Sequence, residues 1–450
     1  MGIYTNLVAK LLFPLHEKLK KHSTVKICKS LEQTQWLSTD EILALQQKRL
    51  AEFMRNINQH VPYYTKVIEQ AGLTVSDITT VEDLSKLPFL TKQLIKDNFE
   101  QLRSSIAGPL NSFNTGGSSG SPLIFLLGNE RVSHDVAEKW RATRWWDVDI
   151  GDKEIVAWGS PIELGGQDKI KLLRDALFRS QLIPAFDMNE SKLMGFIDKI
   201  RDVKPAMLFG YPSVFDLIAK NAEKHGITVS NLGIKVAFVT SERLYPYQRE
   251  NIERVFGCPV ANGYGGRDAG FIAHQCPSGG MHLSAEDLIV EIIDPQGNVL
   301  PAGEAGEIVV THMATSEFPF VRYRTGDVGT LSTKSCACGR GLPMLESIEG
   351  RSTDFVIAAD GTIMHGLALI YVLRELEEVS DFKIIQESLQ LTRIQVVGSA
   401  SYDQHVEQKV VDGIKARLGS EVTIEVTQVS EIEAEKSGKF RYVISKVETQ

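Results

Sequence analysis

Between residues 113 and 122 the chain reads Phe-Asn-Thr-Gly-Gly-Ser-Ser-Gly-Ser-Pro, and an apolar run over 123–127 follows at once. Gly116, Gly117 and Gly120 let the backbone turn sharply and bring its N–H groups close to a ligand. Thr115, Ser118, Ser119 and Ser121 add hydroxyl donors around the same bend. Such a loop suits phosphate oxygens. No lysine follows the glycines as a Walker loop demands, and the spacing is not that of a dinucleotide fingerprint. The same composition also makes a surface turn or a flexible linker, so its chemistry depends on what accompanies it along the chain.

Four later stretches do accompany it. Residues 262–270 read Asn-Gly-Tyr-Gly-Gly-Arg-Asp-Ala-Gly; Tyr264, beside Gly265, could stack a base while Asp268 holds a cation near phosphate, or the stretch is only a glycine-rich turn. In 319–327, Arg322, Tyr323, Arg324, Thr325 and Gly326 precede Asp327, a carboxylate that could take two ribose hydroxyls. A surface ion-pair cluster would account for that stretch equally. Gly350, Arg351, Ser352, Thr353 and Asp354 come next, and near the end Lys439 follows a glycine in Glu-Lys-Ser-Gly-Lys-Phe-Arg, over 435–441. A lysine on such a turn is a mobile cation, although basic residues near a terminus are ordinarily just solvated.

A second kind of chemistry is written in the cysteines. Cys336 and Cys338 form a tight knuckle, and Cys276 lies six residues before His282 in a Pro/Gly-rich loop. Three thiols and an imidazole on irregular segments match a structural Cys3His zinc site, with His274 as a competing ligand and plain reduced thiols as the alternative. Cys28 and Cys258 read as packing residues. Five cysteines, an odd and sparse set, point to reduced thiols in the cytoplasm.

The elements that must position these groups follow from periodicity. Residues 1 to about 105 read as a mostly helical lead-in, with apolar positions three and four apart through Ile42, Leu43, Leu45, Leu50 and Phe53. After the Gly/Ser loop, helical stretches alternate with short apolar runs at 154–158, 206–209, 235–240 and 259–262, the rhythm of an α/β fold with layered, mostly parallel sheet. Closely spaced strands over 288–311 add a small antiparallel subdomain. Beyond 350 the order β, α, β, α, β predicts a small α+β unit: a hairpin at 355–363, helices at 367–378 and 402–418, strands at 392–397 and 422–426. The division is therefore 1–350 and 351–450. Trp158, Phe186, Phe209 and Tyr211 are aromatics that could line a substrate pocket or simply fill a core.

Composition excludes several classes. The 450 residues, 43% hydrophobic and 24% charged, carry a net charge of -8, with a pI near 5.8. Dispersed basic residues leave no footprint for nucleic acid, and no apolar stretch approaches the roughly 20 residues of a membrane span. At the N-terminus Leu7, Val8, Leu11, Leu12, Phe13 and Leu15 precede Lys18, Lys20, Lys21 and His22, a short amphipathic helix with a basic end. It is either packed on the protein or weakly associated with an anionic membrane surface. The charge follows the apolar part, which argues against a signal peptide.

Taken in order, these stretches resemble the adenylate-forming superfamily of acyl-CoA synthetases and adenylation domains, specifically its phenylacetate-CoA ligase branch. The resemblance covers nearly the whole chain, including Gln35-Trp36, Val61-Pro62-Tyr63-Tyr64 and Leu90-Thr91-Lys92. Arg267, Asp268, Ala269 and Gly270 are most similar to the group associated with bacterial capsular polysaccharide clusters. The resemblance implies that Thr115 to Ser121 hold the β- and γ-phosphates of ATP, that Tyr264 lies against adenine and that Asp327 binds the ribose. It implies that Arg351 contacts the ribose or phosphate region, that Asp354 is a hinge of a mobile C-terminal domain, and that Lys439 bridges the carboxylate and the α-phosphate. Where the superfamily usually has a magnesium-binding glutamate, this chain has Asp268, one methylene shorter. The branch often carries a Cys/His set like Cys276, His282, Cys336 and Cys338.

The implied reaction is activation of a small-molecule carboxylic acid by ATP and magnesium, with transfer of the acyl group to coenzyme A. The alternatives are an amine or sugar acceptor in polysaccharide biosynthesis, a catalytically silent scaffold of the same fold, and a kinase-like phosphotransferase, the last disfavoured by the missing Walker lysine. A homodimer is left open.

Overall fold

A computed structural model describes residues 2–115, 123–158, 169–185, 188, 190–294, 296–348, 355–430, 432 and 443–447. Its centre is an eleven-stranded mixed sheet. The strands Glu154–Trp158 (β3), Ser180–Pro184 (β4), Met207–Gly210 (β5), Val236–Thr240 (β6) and Val260–Gly266 (β7) run parallel in the order β4-β3-β5-β6-β7. Every residue of β5 and β6 is buried, because helices such as Glu190–Val203 and Pro212–Lys224 cover the sheet faces; that is why the sequence shows unbroken apolar runs there.

At β7 the chain reverses. Gly270–Gln275 (β8) pairs antiparallel with it, and Met281–Leu283 (β9), Leu288–Ile293 (β10), Ala305–His312 (β11), Phe320–Leu331 (β12) and Met344–Ile348 (β13) complete the order β8-β9-β13-β12-β11-β10. The expected antiparallel strands are thus hydrogen-bonded in continuity with the parallel ones, and the Tyr264 and Asp327 stretches share one sheet.

Sequence stretches of the lead-in lock onto this half. Leu90 N–H donates to the Arg322 carbonyl (2.9 Å) and Arg324 N–H to the Leu90 carbonyl (3.0 Å), while the Thr91 hydroxyl accepts from Leu94 N–H to cap the helix Lys92–Asp97. Tyr64, fully withdrawn from water, donates to the Pro319 carbonyl and accepts from Val321 N–H, both at 3.0 Å. The long helix Thr39–His60 starts on a capping box between Ser38 and Glu41 and packs Ile42, Leu50, Phe53, Met54 and Ile57 into the core that includes β10.

The helix Asn129–Arg144 buries a charged face. Arg131, His134, Glu138 and Arg141 recur three and four residues apart and all are buried. Arg141 pairs with Glu286 at 2.6 Å, and His134 and Arg49 both face Asp287. Burial, reinforced by Asp287, pushes the Glu138 carboxyl well up.

Arg322 is the clearest test of such buried charge. Its backbone has positive φ (51°), and its guanidinium reaches Glu291 through two bonds of 3.1 and 2.9 Å and the Leu87 carbonyl at 2.7 Å, over the Phe89 ring. Of the two arginines that the alternative of a surface ion-pair cluster would need exposed, only Arg324 is, pairing with Glu307. Arg322→Met should strand the buried Glu291 and cost about 3–5 kcal/mol, read from the urea midpoint. A loss below about 1 kcal/mol, the size of a surface pair, would show that Glu291 reaches water.

The remaining strands form the hairpin Asn111–Asn114 (β1) with Ile124–Leu127 (β2), the hairpin Phe355–Ile357 (β14) with Ile363–His365 (β15), and a four-stranded sheet. In that sheet Thr423–Gln428 (β18), Leu391–Gly398 (β17), Val379–Ser388 (β16) and Val443–Ser445 (β19) lie side by side. The helices Leu367–Arg374 and Gln404–Leu418 pack on one shared core with it. The first helix ends four residues before the expected 378, and β16 was not expected. Asp381, Lys383, Gln386 and Glu387 dilute its apolar alternation, yet Phe382 and Ile384 are buried in that core.

Candidate active site and metal centre

Tyr264 and Asp268 stand on the reversal between β7 and β8. Four glycines make that reversal steric necessity. A side chain at Gly265 would fall 2.2 Å from the Gly270 carbonyl oxygen, one at Gly266 would meet the Asp268 carboxylate at 2.7 Å, and one at Gly263 would meet Phe238 at 2.9 Å. Gly270 has φ +91°, and a Cβ there would strike His312 and Arg131.

The Tyr264 hydroxyl donates to Asp327 Oδ2 at 3.0 Å, joining two stretches 63 residues apart. Burial, and then the adjacent Asp327 charge, push the Tyr264 hydroxyl well above its ordinary range, so it stays a donor. Asp268 is held on both oxygens: Tyr323 O–H donates to Oδ2 at 2.7 Å and Ala269 N–H to Oδ1 at 3.0 Å. Arg131 donates to the Arg267 and Asp268 carbonyls at 3.3 Å each, with its Nε on Asp135 at 2.9 Å. Sequence reading assigned nothing to Arg131, 136 residues away on a helix, and quoted Tyr323 without a role. No local pattern announces such long-range clamps.

The hairpin β1–β2 frames the Gly/Ser loop. Thr115 closes its base: its N–H donates to the Leu123 carbonyl, and its hydroxyl accepts from Leu123 N–H, each at 3.0 Å. Phe125 ties the hairpin to β12 through Phe320, whose ring lies 4.9 Å from Tyr323. The loop base and the Asp268 holder therefore share one aromatic cluster. Gly116, Gly117, Ser118, Ser119, Gly120, Ser121, Arg351, Asp354 and Lys439 lie outside the described residues.

On the parallel half, Trp158 stacks on Tyr211 (4.8 Å) and Phe209 (6.2 Å); Phe209 stacks on Phe238, which meets His274. Trp158 and Tyr211 are half-buried at the carboxyl ends of β3 and β5, the end where open α/β sheets receive ligands. Phe186 lies outside the described residues.

The metal-ligand atoms converge. Those of Cys276, His282, Cys336 and Cys338 all lie within 4.8 Å of one another. Cys276 and Cys336 sulfurs are 3.6 Å apart, close to the ~3.8 Å edge that Zn–S bonds of about 2.3 Å make at tetrahedral angles. Cys338 Sγ is 3.2 Å from His282 Nε2, and His282 Nδ1 faces the Leu342 carbonyl at 3.3 Å. A Cβ at Gly280 would land 2.6 Å from Cys336 Sγ and 3.1 Å from His282 Nε2, so only glycine leaves this cradle open. Burial lowers the His282 imidazole to about 4 and raises the Cys276 thiol to about 12. His274, the competing ligand, is not of this group: it sits fully buried between Phe238 and Phe271 with neither ring nitrogen hydrogen-bonded. Gln35 and Trp36 brace the knuckle, Gln35 accepting from Arg340 Nε and Trp145 Nε1, and Arg340 lying over the Trp36 and Trp145 rings.

A family model described as AMP-binding enzyme matches residues 181–317, and one described as CapK C-terminal domain matches 356–446. Protein CapK of Staphylococcus aureus is 25% identical over 419 residues, covering 91% of this chain and 90% of its own. The phenylacetate-coenzyme A ligase of Thermus thermophilus is 23% identical over 390 residues, covering 83% of this chain and 85% of its own. Among solved structures, 2-hydroxyisobutyryl-CoA ligase with 2-HIB-AMP and CoA in its thioesterification state superimposes with a TM-score of 0.65 at 20% identity, over 90% of each chain. Its open conformation gives 0.60 over 91% of this chain and 92% of its own. These solved structures share the fold.

Proposed function

The chain is an adenylate-forming, phenylacetate-CoA ligase-like protein, and from that premise we propose that it activates a small carboxylic acid with ATP and passes the acyl group to coenzyme A. One observation carries the reading: Tyr264, whose ring would lie on adenine, is hydrogen-bonded to Asp327, whose carboxylate would take the ribose hydroxyls. A base platform and a sugar acceptor fixed to each other form a preorganised nucleoside site.

A carboxylate oxygen of the acid attacks the α-phosphorus, the bond to pyrophosphate breaks, and the thiol then displaces AMP from the acyl carbon. Negative charge spreads over phosphate oxygens during the first step, so the chain must supply donors and cations. Thr115 to Ser121 would direct N–H and hydroxyl groups at the β- and γ-phosphates, and Arg351 would contact the ribose or phosphate region. Lys439 would bridge the acid and the α-phosphate. Magnesium, when bound, neutralises phosphate charge; Asp268, already engaged by Tyr323 and Ala269, would hold it through a water, which suits its shorter side chain. A division into 1–350 and a mobile 351–450 would let one lobe serve both steps and exclude water from a hydrolysable anhydride. The Cys276, His282, Cys336 and Cys338 set fits zinc in donor type and spacing, as a structural element away from the reaction. Five cysteines with no disulfide among them suit a cytoplasmic protein.

A second reading, transfer to an amine or sugar in cell-surface polysaccharide biosynthesis, is favoured by the CapK-type match over 356–446. Pyrophosphate release across a panel of acids, with and without coenzyme A, tests both. AMP and pyrophosphate should form only with the right acid, and thioester should accumulate when coenzyme A is present. Turnover indifferent to coenzyme A would favour the second acceptor. Formation of ADP would point to phosphotransfer, and no ATP binding by calorimetry to a silent scaffold.

A further inference from the structure

The N-terminal helix carries a buried row and an exposed apolar row on opposite sides. Thr5, Val8, Phe13 and Glu17 face the protein, while Ile3, Leu7, Leu11, Leu15 and Leu19, each four residues from the last, are 43–94% exposed. In an unbroken α-helix each step of four swings the row by about 40°, so five such residues would spiral off one face. Here a π-helical segment, Val8–Leu12, sits between the α-helices Ile3–Leu7 and Phe13–Leu19; its wider turn takes up part of that swing and keeps the row together. Leu173 and Leu177 add exposed apolar surface on the helix Lys169–Leu177, which the Tyr4 hydroxyl holds by donating to the Leu177 carbonyl.

Charge identifies what covers the row. Residues 1–30 hold six lysines against one glutamate, a formal +5 inside a chain whose total is -8. Lys10, Lys18, Lys20, Lys21, Lys26 and Lys29 are all exposed. Glu17, the one acid of this segment, is buried and accepts from Thr24, with His16 and His22 beside it, so no carboxylate of the segment stands among the lysines on the outer surface. We propose that this helix seats on an anionic membrane surface, its leucine row entering the acyl boundary and its lysines meeting the lipid phosphates. No helix among the described residues is long and apolar enough to cross a membrane, so the contact is peripheral. A second copy is the poorer occupant: a two-fold contact on this row would bring the exposed lysines of one copy, Lys10 and Lys18 among them, up to the same lysine-rich surface of the other. The proposal does not depend on the reaction assigned above.

Vesicle flotation of the full chain tests it. Vesicles with about a quarter phosphatidylglycerol should carry at least about tenfold more protein than zwitterionic ones at about 0.1 M salt, and raising the salt should release it. L7Q/L11Q/L15Q, all at exposed positions, should lose about tenfold in binding with an unchanged thermal midpoint. K10Q/K18Q/K20Q should lose anionic selectivity even if the leucine variant fails to fold. Wild-type protein that stays off anionic vesicles, or binds them as the lysine variant does, overturns the proposal. So does a lipid-free dimer, seen by sedimentation velocity, that the leucine variant dissolves.

Discussion

Lys439→Ala is expected to slow acyl-adenylate formation by about 10²–10³-fold, roughly 3–4 kcal/mol, the size of losing one charged contact to a transition state. The amine would touch both the attacking carboxylate and the α-phosphate, two groups that repel until the bond between them forms. Its stabilisation therefore grows along the reaction, and ATP affinity should change far less than the rate. Lys439→Arg should not rescue, because a planar fork cannot replace a compact point charge between two oxyanions. Single-turnover measurement of acyl-AMP, beside calorimetric ATP binding, separates the two quantities. Equal loss in both would remove Lys439 from the bridging role.

What the sequence made legible divides by range. Strand pattern located β3, β5, β6 and β7, whose apolar runs are unbroken because helices cover the sheet, but not the edge strand β4, which buries only Ile183; the Gly/Ser, Tyr-Gly and Asp327 stretches were visible as chemistry without being visible as neighbours. Tyr264 and Asp327 meet because β7, β8 and the antiparallel strands continue one sheet, a consequence of topology that no single stretch encodes. Arg131 illustrates the limit: a charged residue early in a polar helix reads as solvated, yet it is buried and clamps the turn that carries Asp268. Arg322 is similar, an arginine for which a surface cluster was one of two readings and which is committed to the buried Glu291. In each case a long-range partner makes burial of charge tolerable, and partners are what a one-dimensional pattern omits. The N-terminal helix was legible as amphipathic, but not which side packs: the structure buries Val8 and Phe13 and exposes Leu7, Leu11 and Leu15.

Loss of zinc should be felt as stability before it is felt as chemistry. The four ligands come from the loop that carries Cys276, from β9 and from the 336–338 knuckle, so the ion would pin two connections onto a sheet that already exists. That is a smaller task than folding a zinc finger. With free zinc about a thousandfold above its dissociation constant, binding contributes about 4 kcal/mol, and its removal should lower the thermal midpoint by about 4 °C in a chain of this size. Cys276→Ser should reproduce the drop, remove the chelator response and leave less than one ion per chain by elemental analysis. His274→Ala should keep the metal, since its ring stands among Phe238 and Phe271 and not with the thiols. Cobalt in place of zinc should show the thiolate absorption of a tetrahedral sulfur-rich site. Purified protein free of metal, with a melting point indifferent to chelator, would leave the four side chains as ordinary reduced groups. With an ion bound, even alanine at Gly280 should displace Cys336 and weaken retention of the metal.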